Sequence, residues 1–146
     1  KFDDVYFVGL DTMQGVFRLS WRYRFWARFT AAGWLGEPQL TKLDSIIKNI
    51  HRKSADATII LYMHHHPFNF NFRFRVMQLH DRLRLHKIIK NKVSILLFGH
   101  NHVEKRLWDK QHRNGIGIVQ VFGNSTHSNA TPFYEIDTES RSMKRI

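Results

Sequence analysis

The chain lacks cysteine and long apolar runs. With no cysteine among its 146 residues, disulfide bonds and thiolate metal sites are excluded, and any metal ion must be bound by His, Asp, Glu or Asn. No apolar stretch approaches the roughly 20 residues that a helix needs to cross a bilayer, and no signal-peptide pattern follows Lys1. We therefore expect a cytoplasmic protein without a membrane span. Because the first residue is not Met, we also expect a piece of a longer chain.

Acidic residues are scarce as well. The 12 Asp and Glu residues face 23 Lys and Arg residues, which gives a net charge of +11. Such a charge favours anionic partners, namely phosphate esters, nucleic acid or a membrane surface. Arginine alternates with aromatic residues in 18–29 and 68–75, a pattern typical of single-stranded nucleic-acid binding. A solvated basic surface is the alternative interpretation.

The apolar patterning predicts a single α/β (α+β) domain with a mixed sheet and flanking helices. The predicted strands are 5–10, 58–63, 93–98, 103–108, 117–123 and 133–137. A helix is predicted to start at 37–39 and to run through the apolar stripe that ends at Ile50. A second helix of about 13 residues is predicted over 76–89, closing near 90–92. Residues 68–75 fit a strand or an irregular loop, and residues 13–35 fit a strand, a loop or a short amphipathic helix.

Five of the ten histidines lie in two short motifs. A His-His-His-Pro motif at 64–67 follows the predicted strand 58–63, and a Gly-His-Asn-His motif at 99–102 follows the predicted strand 93–98. Ligands of open α/β sheets bind outside the carboxyl ends of the strands, so the two motifs predict a metal site. On an extended segment, His100 and His102 would lie about 6–7 Å apart on one side. This spacing suits one ligand on each of two metals about 3.5–4 Å apart, whereas packing roles for these histidines are the alternative.

The two motifs resemble the last two metal motifs of the calcineurin-like metallophosphoesterases. Residues 8–12, 36–43 and 123–126 resemble other elements of that family in the same order, so the resemblance covers almost the whole chain. The triple histidine is most similar to cyclic-nucleotide phosphodiesterase members. The resemblance implies that 1–146 is a partial domain, the C-terminal half of a four-layer α/β/β/α sandwich.

The resemblance also implies a ligand set. Two divalent ions (Mn, Fe or Zn) are expected, with His65 and His100 sharing one ion and His102 binding the other. His64 and His66 match no ligand position of the family. The weaker substrate-binding candidates are His66, Arg73 and Arg75.

The first three metal motifs of the family, Asp-x-His, Gly-Asp-x-x-Asp and Gly-Asn-His, are absent from the chain. The resemblance implies that the intact protein hydrolyses phosphate mono- or diesters with a metal-activated water. Because those motifs are missing, this chain brings three ligands, no carboxylate ligand and no assigned catalytic residue. We expect the chain alone to be weak or inactive. The partner is a phosphate-ester substrate, with nucleotides and nucleic acids as candidates. The alternatives are a basic nucleic-acid-binding module and a catalytically degenerate phosphoesterase-like domain.

Overall fold

The computed structural model describes residues 4–13, 31–68, 78–99, 105–108, 120–123 and 134–146. These residues form a small α+β fold with a mixed sheet and two helices, which confirms the predicted class in this coarse form. The strands are β1 (Val5–Leu10), β2 (Thr58–Met63), β3 (Ile95–Phe98), β4 (Lys105–Trp108), β5 (Gln120–Gly123), β6 (Tyr134–Asp137) and β7 (Ser142–Arg145), and the helices are α1 (Glu37–Lys53) and α2 (Arg82–Ile89).

Five strands form the main sheet, in the order β1-β2-β3-β5-β4. The first four strands in this order (β1, β2, β3 and β5) are parallel, and the edge strand β4 is antiparallel to β5. The register places Leu10 beside Met63 and Met63 beside Phe98. The C-terminal ends of β1, β2 and β3 are therefore flush, and the segments that follow them leave the sheet at one edge.

Helix α1 packs on one face of this sheet. Its apolar stripe is buried as predicted, because leucines and isoleucines recur every three or four residues; the buried members are Leu40, Leu43, Ile47 and Ile50. Burial of each side chain contributes about 1.5–3 kcal/mol. Gly36 directly before the helix has a φ of 81°, a left-handed conformation that favours glycine. Pro38 lies in the first turn, where its missing N–H costs no helical hydrogen bond.

The hairpin of β6 and β7 covers part of the opposite face. Met143 of the hairpin packs on Ile60 and Ile95 in a small second core. Beyond the hairpin, Phe7 remains 66% exposed and Tyr62 49% exposed. Because side chains alternate along a strand, these two aromatic residues share the face that contains Ile60.

The second helix is shorter than predicted. The sequence pattern over 76–89 indicates helix, but α2 begins at Arg82. Before it, Gln78 and Leu79 form isolated parallel bridges to His66 and Gly33. The backbone groups at 78 and 79 are thus used in pairing with distant segments, so the apolar periodicity of this stretch does not produce helix.

Strand β7 was not predicted, because Met143 is its only apolar residue and no alternation marks it. In the part of the chain that the structure describes, no helix is long and apolar enough to cross a membrane.

Candidate metal centre

The candidate site lies at the edge where β1, β2 and β3 end. Residues 11–13 follow β1, the motif at 64–67 follows β2, and Gly99 follows β3. The Gly99 N–H donates a hydrogen bond to the His64 carbonyl oxygen at 3.0 Å. This bond brings the first histidine motif against the first residue of the second motif.

His65 is buried, with 3% of its surface exposed. Its Nδ1 forms a hydrogen bond with the hydroxyl Oγ1 of Thr12 at 2.5 Å, and Thr12 is only 2% exposed. Thr12 lies 53 residues away in the sequence and reaches the ring because β1 and β2 are adjacent parallel strands. Thr12, which follows β1, therefore holds Nδ1 of His65, the predicted metal ligand, in a hydrogen bond.

Gly33 packs directly against the same ring. A Cβ atom at this position would lie 2.5 Å from His65 Cγ and 2.6 Å from His65 Nδ1. The Gly33 N–H donates to the Gln78 carbonyl at 3.1 Å, and its own carbonyl accepts from the His80 N–H at 3.0 Å. Because both backbone groups are bonded, Gly33 has little freedom to withdraw from the ring. The Cγ–Nδ1 side of His65 is thus enclosed by Thr12 and Gly33.

His66 points into aromatic surroundings. It is 4% exposed, and its ring centroid lies 4.5 Å from that of Phe98. Its Nδ1 accepts a hydrogen bond from the Phe68 N–H at 3.0 Å. An acceptor nitrogen carries no proton, so the bond fixes the neutral ring with its proton on Nε2. The substrate-binding role of His66 stays a prediction.

His64 is the exposed member of the motif. Its ring meets that of His65 edge to face, with centroids 5.0 Å apart.

His86 of α2 contacts Pro67 and Phe68, which follow the three histidines after β2. An imidazole N–H donates to the Pro67 carbonyl, and the ring packs on Phe68 with centroids 5.2 Å apart. Among the described residues, the buried Nε2 of this ring has no hydrogen-bond partner. Burial lowers the pKa of His86 below its ordinary 6.5, since the charged form loses hydration; the bond to Pro67 opposes this effect, and the positive charge of Arg82 adds to it.

Two side chains tie the start of α1 to the site. The Gln39 amide accepts from the Asp11 N–H at 2.9 Å and donates to the Asp11 carbonyl at 2.8 Å. Asp81 accepts from the Gly36 N–H at 2.8 Å and from the Leu35 N–H at 3.1 Å. Asp81 thus satisfies backbone donors that precede the helix, and Gln39 fastens the helix to the segment that carries Thr12.

The predicted site residues are described only in part. His65 and His66 are placed as above, whereas His100, His102, Arg73 and Arg75 lie outside the described residues. The structure adds Thr12 and Gly33, which sequence reasoning missed because no local motif links either residue to His65.

The residues that the structure places offer few ligands for a divalent ion. Within the described ranges, no group of three or more His, Cys, Asp or Glu residues could hold a metal ion. His65 by itself fits a ligand position, because ligating histidines usually have their second ring nitrogen hydrogen-bonded to another group. The described residues therefore fit one ligand position rather than a complete site.

Comparisons with known proteins identify no family for this chain. No protein-family model matches the chain, and no curated protein matches it. The resemblance to the metallophosphoesterases therefore stays a prediction from the quoted motifs.

Proposed function

We propose that the intact protein is a metal-dependent hydrolase of phosphate mono- or diesters, and that this chain is the C-terminal half of a calcineurin-like α/β/β/α sandwich. The observation that carries the proposal is the hydrogen bond from Gly99 to His64, 3.0 Å long. It joins the ends of β2 and β3, the two strands that lead into the two histidine motifs. The first histidine motif and Gly99, the first residue of the second motif, follow these strands at the edge where parallel sheets bind ligands, which supports a ligand site there.

In this proposal His65 and His100 bind one divalent ion, and His102 binds the second. Bound ions of this kind would supply an activated water and offset the charge on the phosphoryl oxygens. Imidazole ligands suit Mn, Fe or Zn. Because three neutral imidazoles leave the charge of two dications uncompensated, the chain alone should be weak or inactive until carboxylate ligands are added.

The substrate is an anion in this proposal. The net charge of +11 attracts phosphate esters, including nucleotides and nucleic-acid diesters. Arg73 and Arg75 are the proposed contacts to the phosphate.

Metal binding by the 146-residue chain tests the proposal. We expect Zn²⁺ in equilibrium dialysis to bind wild type, and His65→Ala, His100→Ala and His102→Ala each to lower the amount bound. His51→Ala is the matched control, because the His51 ring bonds the Lys92 carbonyl at 2.9 Å at the far end of α1. Equal losses in all four variants, or no loss in any, would contradict the proposed ligands.

Phosphate chemistry is tested with the same samples. The Zn²⁺-loaded chain should bind inorganic phosphate, and the metal-free chain should not. Turnover of an activated phosphodiester at the rate of an intact two-metal hydrolase would refute our view that the carboxylates are missing. Metal-independent binding of single-stranded DNA with a steep salt dependence would instead favour the nucleic-acid-binding module.

A further inference from the structure

The side of the His65 ring that carries Nδ1 is closed to any ligand. Thr12 Oγ1 lies 2.5 Å from Nδ1, and a single added carbon on Gly33 would already lie 2.6 Å from the same nitrogen. A metal ion at Nδ1 would have to displace the Thr12 hydroxyl. The opposite nitrogen, Nε2, is therefore the one through which His65 can bind an ion.

An imidazole nitrogen binds a metal with its lone pair, so the proton of a neutral ligand must be on the other nitrogen. A threonine hydroxyl is a suitable acceptor for that proton, because it has two lone pairs and its own hydrogen can rotate away. The Thr12–His65 bond is buried, so no water competes for either partner.

We propose that Thr12 is a positioning residue that accepts the Nδ1–H of His65 and thereby presents the Nε2 lone pair at the edge of the sheet. The proposal rests on the proposed function for the identity of the ligand. It adds a residue from β1 to a site whose ligands follow β2 and β3. The carbonyl of Thr12 accepts the Trp34 N–H at 2.6 Å, so its backbone is held in place independently of the hydroxyl.

The tautomer of His65 can be measured without a metal. In nitrogen-15 NMR spectra of the metal-free chain, we expect His65 Nδ1 to give the signal of a protonated nitrogen and Nε2 the signal of an unprotonated one. Thr12→Val removes the hydroxyl at nearly the same volume and should produce a mixture of tautomers. Thr12→Ser keeps the hydroxyl and should retain the wild-type signals, which separates the role of the hydroxyl from that of side-chain packing.

Metal affinity is the second measurement. Thr12→Val should weaken Zn²⁺ binding about 10- to 100-fold, as loss of a group that orients a ligating histidine does, and Thr12→Ser should restore it. An unprotonated Nδ1 in the wild type overturns the proposal, and this holds even if Thr12→Val does not fold. Unchanged Zn²⁺ affinity in a folded Thr12→Val variant overturns it as well. If the wild type shows the expected tautomer and binds no Zn²⁺, the orienting role of Thr12 is supported and the proposed ligand set of His65, His100 and His102 fails.

Discussion

The substitution Gly33→Ala should displace the His65 ring. The added Cβ would lie 2.5 Å from Cγ and 2.6 Å from Nδ1, whereas carbon atoms in contact prefer about 3.5–4.0 Å. The ring must therefore move by about 1 Å. Overpacking of this kind costs about 1–3 kcal/mol, and weakening of the Thr12 hydrogen bond adds about 0.5–1.5 kcal/mol. We expect a loss of about 2–4 kcal/mol in the free energy of unfolding.

Gly9→Ala is a matched control, because its added Cβ would also lie too close to a side chain, but to one that can move away. Its Cβ would lie 2.7 Å from Cζ and Oη of Tyr62. The Tyr62 side chain is 49% exposed, so it can rotate into solvent. We expect the free energy of unfolding to change by about 0.5 kcal/mol or less, as for other surface substitutions.

Urea unfolding followed by circular dichroism measures both variants. With a denaturant slope of about 2 kcal/mol per M, Gly33→Ala should lower the midpoint by about 1–2 M. A midpoint for Gly33→Ala equal to that of Gly9→Ala would show that the His65 site can relax, and the reasoning from close packing would then be wrong.

Three further substitutions test the supports of the site. Asp81→Ala leaves two backbone donors before α1 unpaired and should lower the free energy of unfolding, measured in urea, by about 2–4 kcal/mol. The stability of Asp81→Asn should lie between that of the wild type and that of Asp81→Ala. Equal stability of the two variants would argue against the charge of Asp81 as the stabilising factor. Gln39→Met removes both hydrogen bonds to the Asp11 backbone and should lower the free energy of unfolding by about 1–2 kcal/mol. Gln39→Glu can still accept a hydrogen bond but cannot donate one, so its loss of stability should be smaller. His86 has a pKa lowered by burial, so the unfolded chain binds its proton at a higher pH than the folded chain. Stability should therefore fall as the pH drops below 6.5, by at most about 1.4 kcal/mol per pH unit. His86→Gln should flatten this dependence, and a thermal-unfolding profile unchanged by that variant would count against the assignment.

Local periodicity predicts the elements whose patterns are strong. The runs 5–10 and 58–63 match β1 and β2 residue for residue, since both are continuous apolar or β-branched stretches of strand length. The stripe that ends at Ile50 matches α1, because three- and four-residue spacing favours one helical face. These features depend only on neighbouring residues.

The interactions that build the site could not be predicted in the same way. Thr12 and His65 are 53 residues apart, and Asp81 bonds the backbone of Leu35 across 46 residues. Such pairs depend on how distant segments align in the fold, and a threonine or an aspartate in a turn has many ordinary explanations. The predicted start of α2 was wrong for the same reason, since the backbone before the helix forms hydrogen bonds with distant segments.

The link between Gly99 and the His64 carbonyl has a consequence for how the site can change. It is made by main-chain atoms alone, so the contact between Gly99 and position 64 does not depend on the side chain at position 64. A substitution of His64 therefore leaves the ends of β2 and β3 hydrogen-bonded to each other. In the proposed metal site, the side chains that follow β2 can thus vary while the backbone that presents them keeps the same bond to the end of β3.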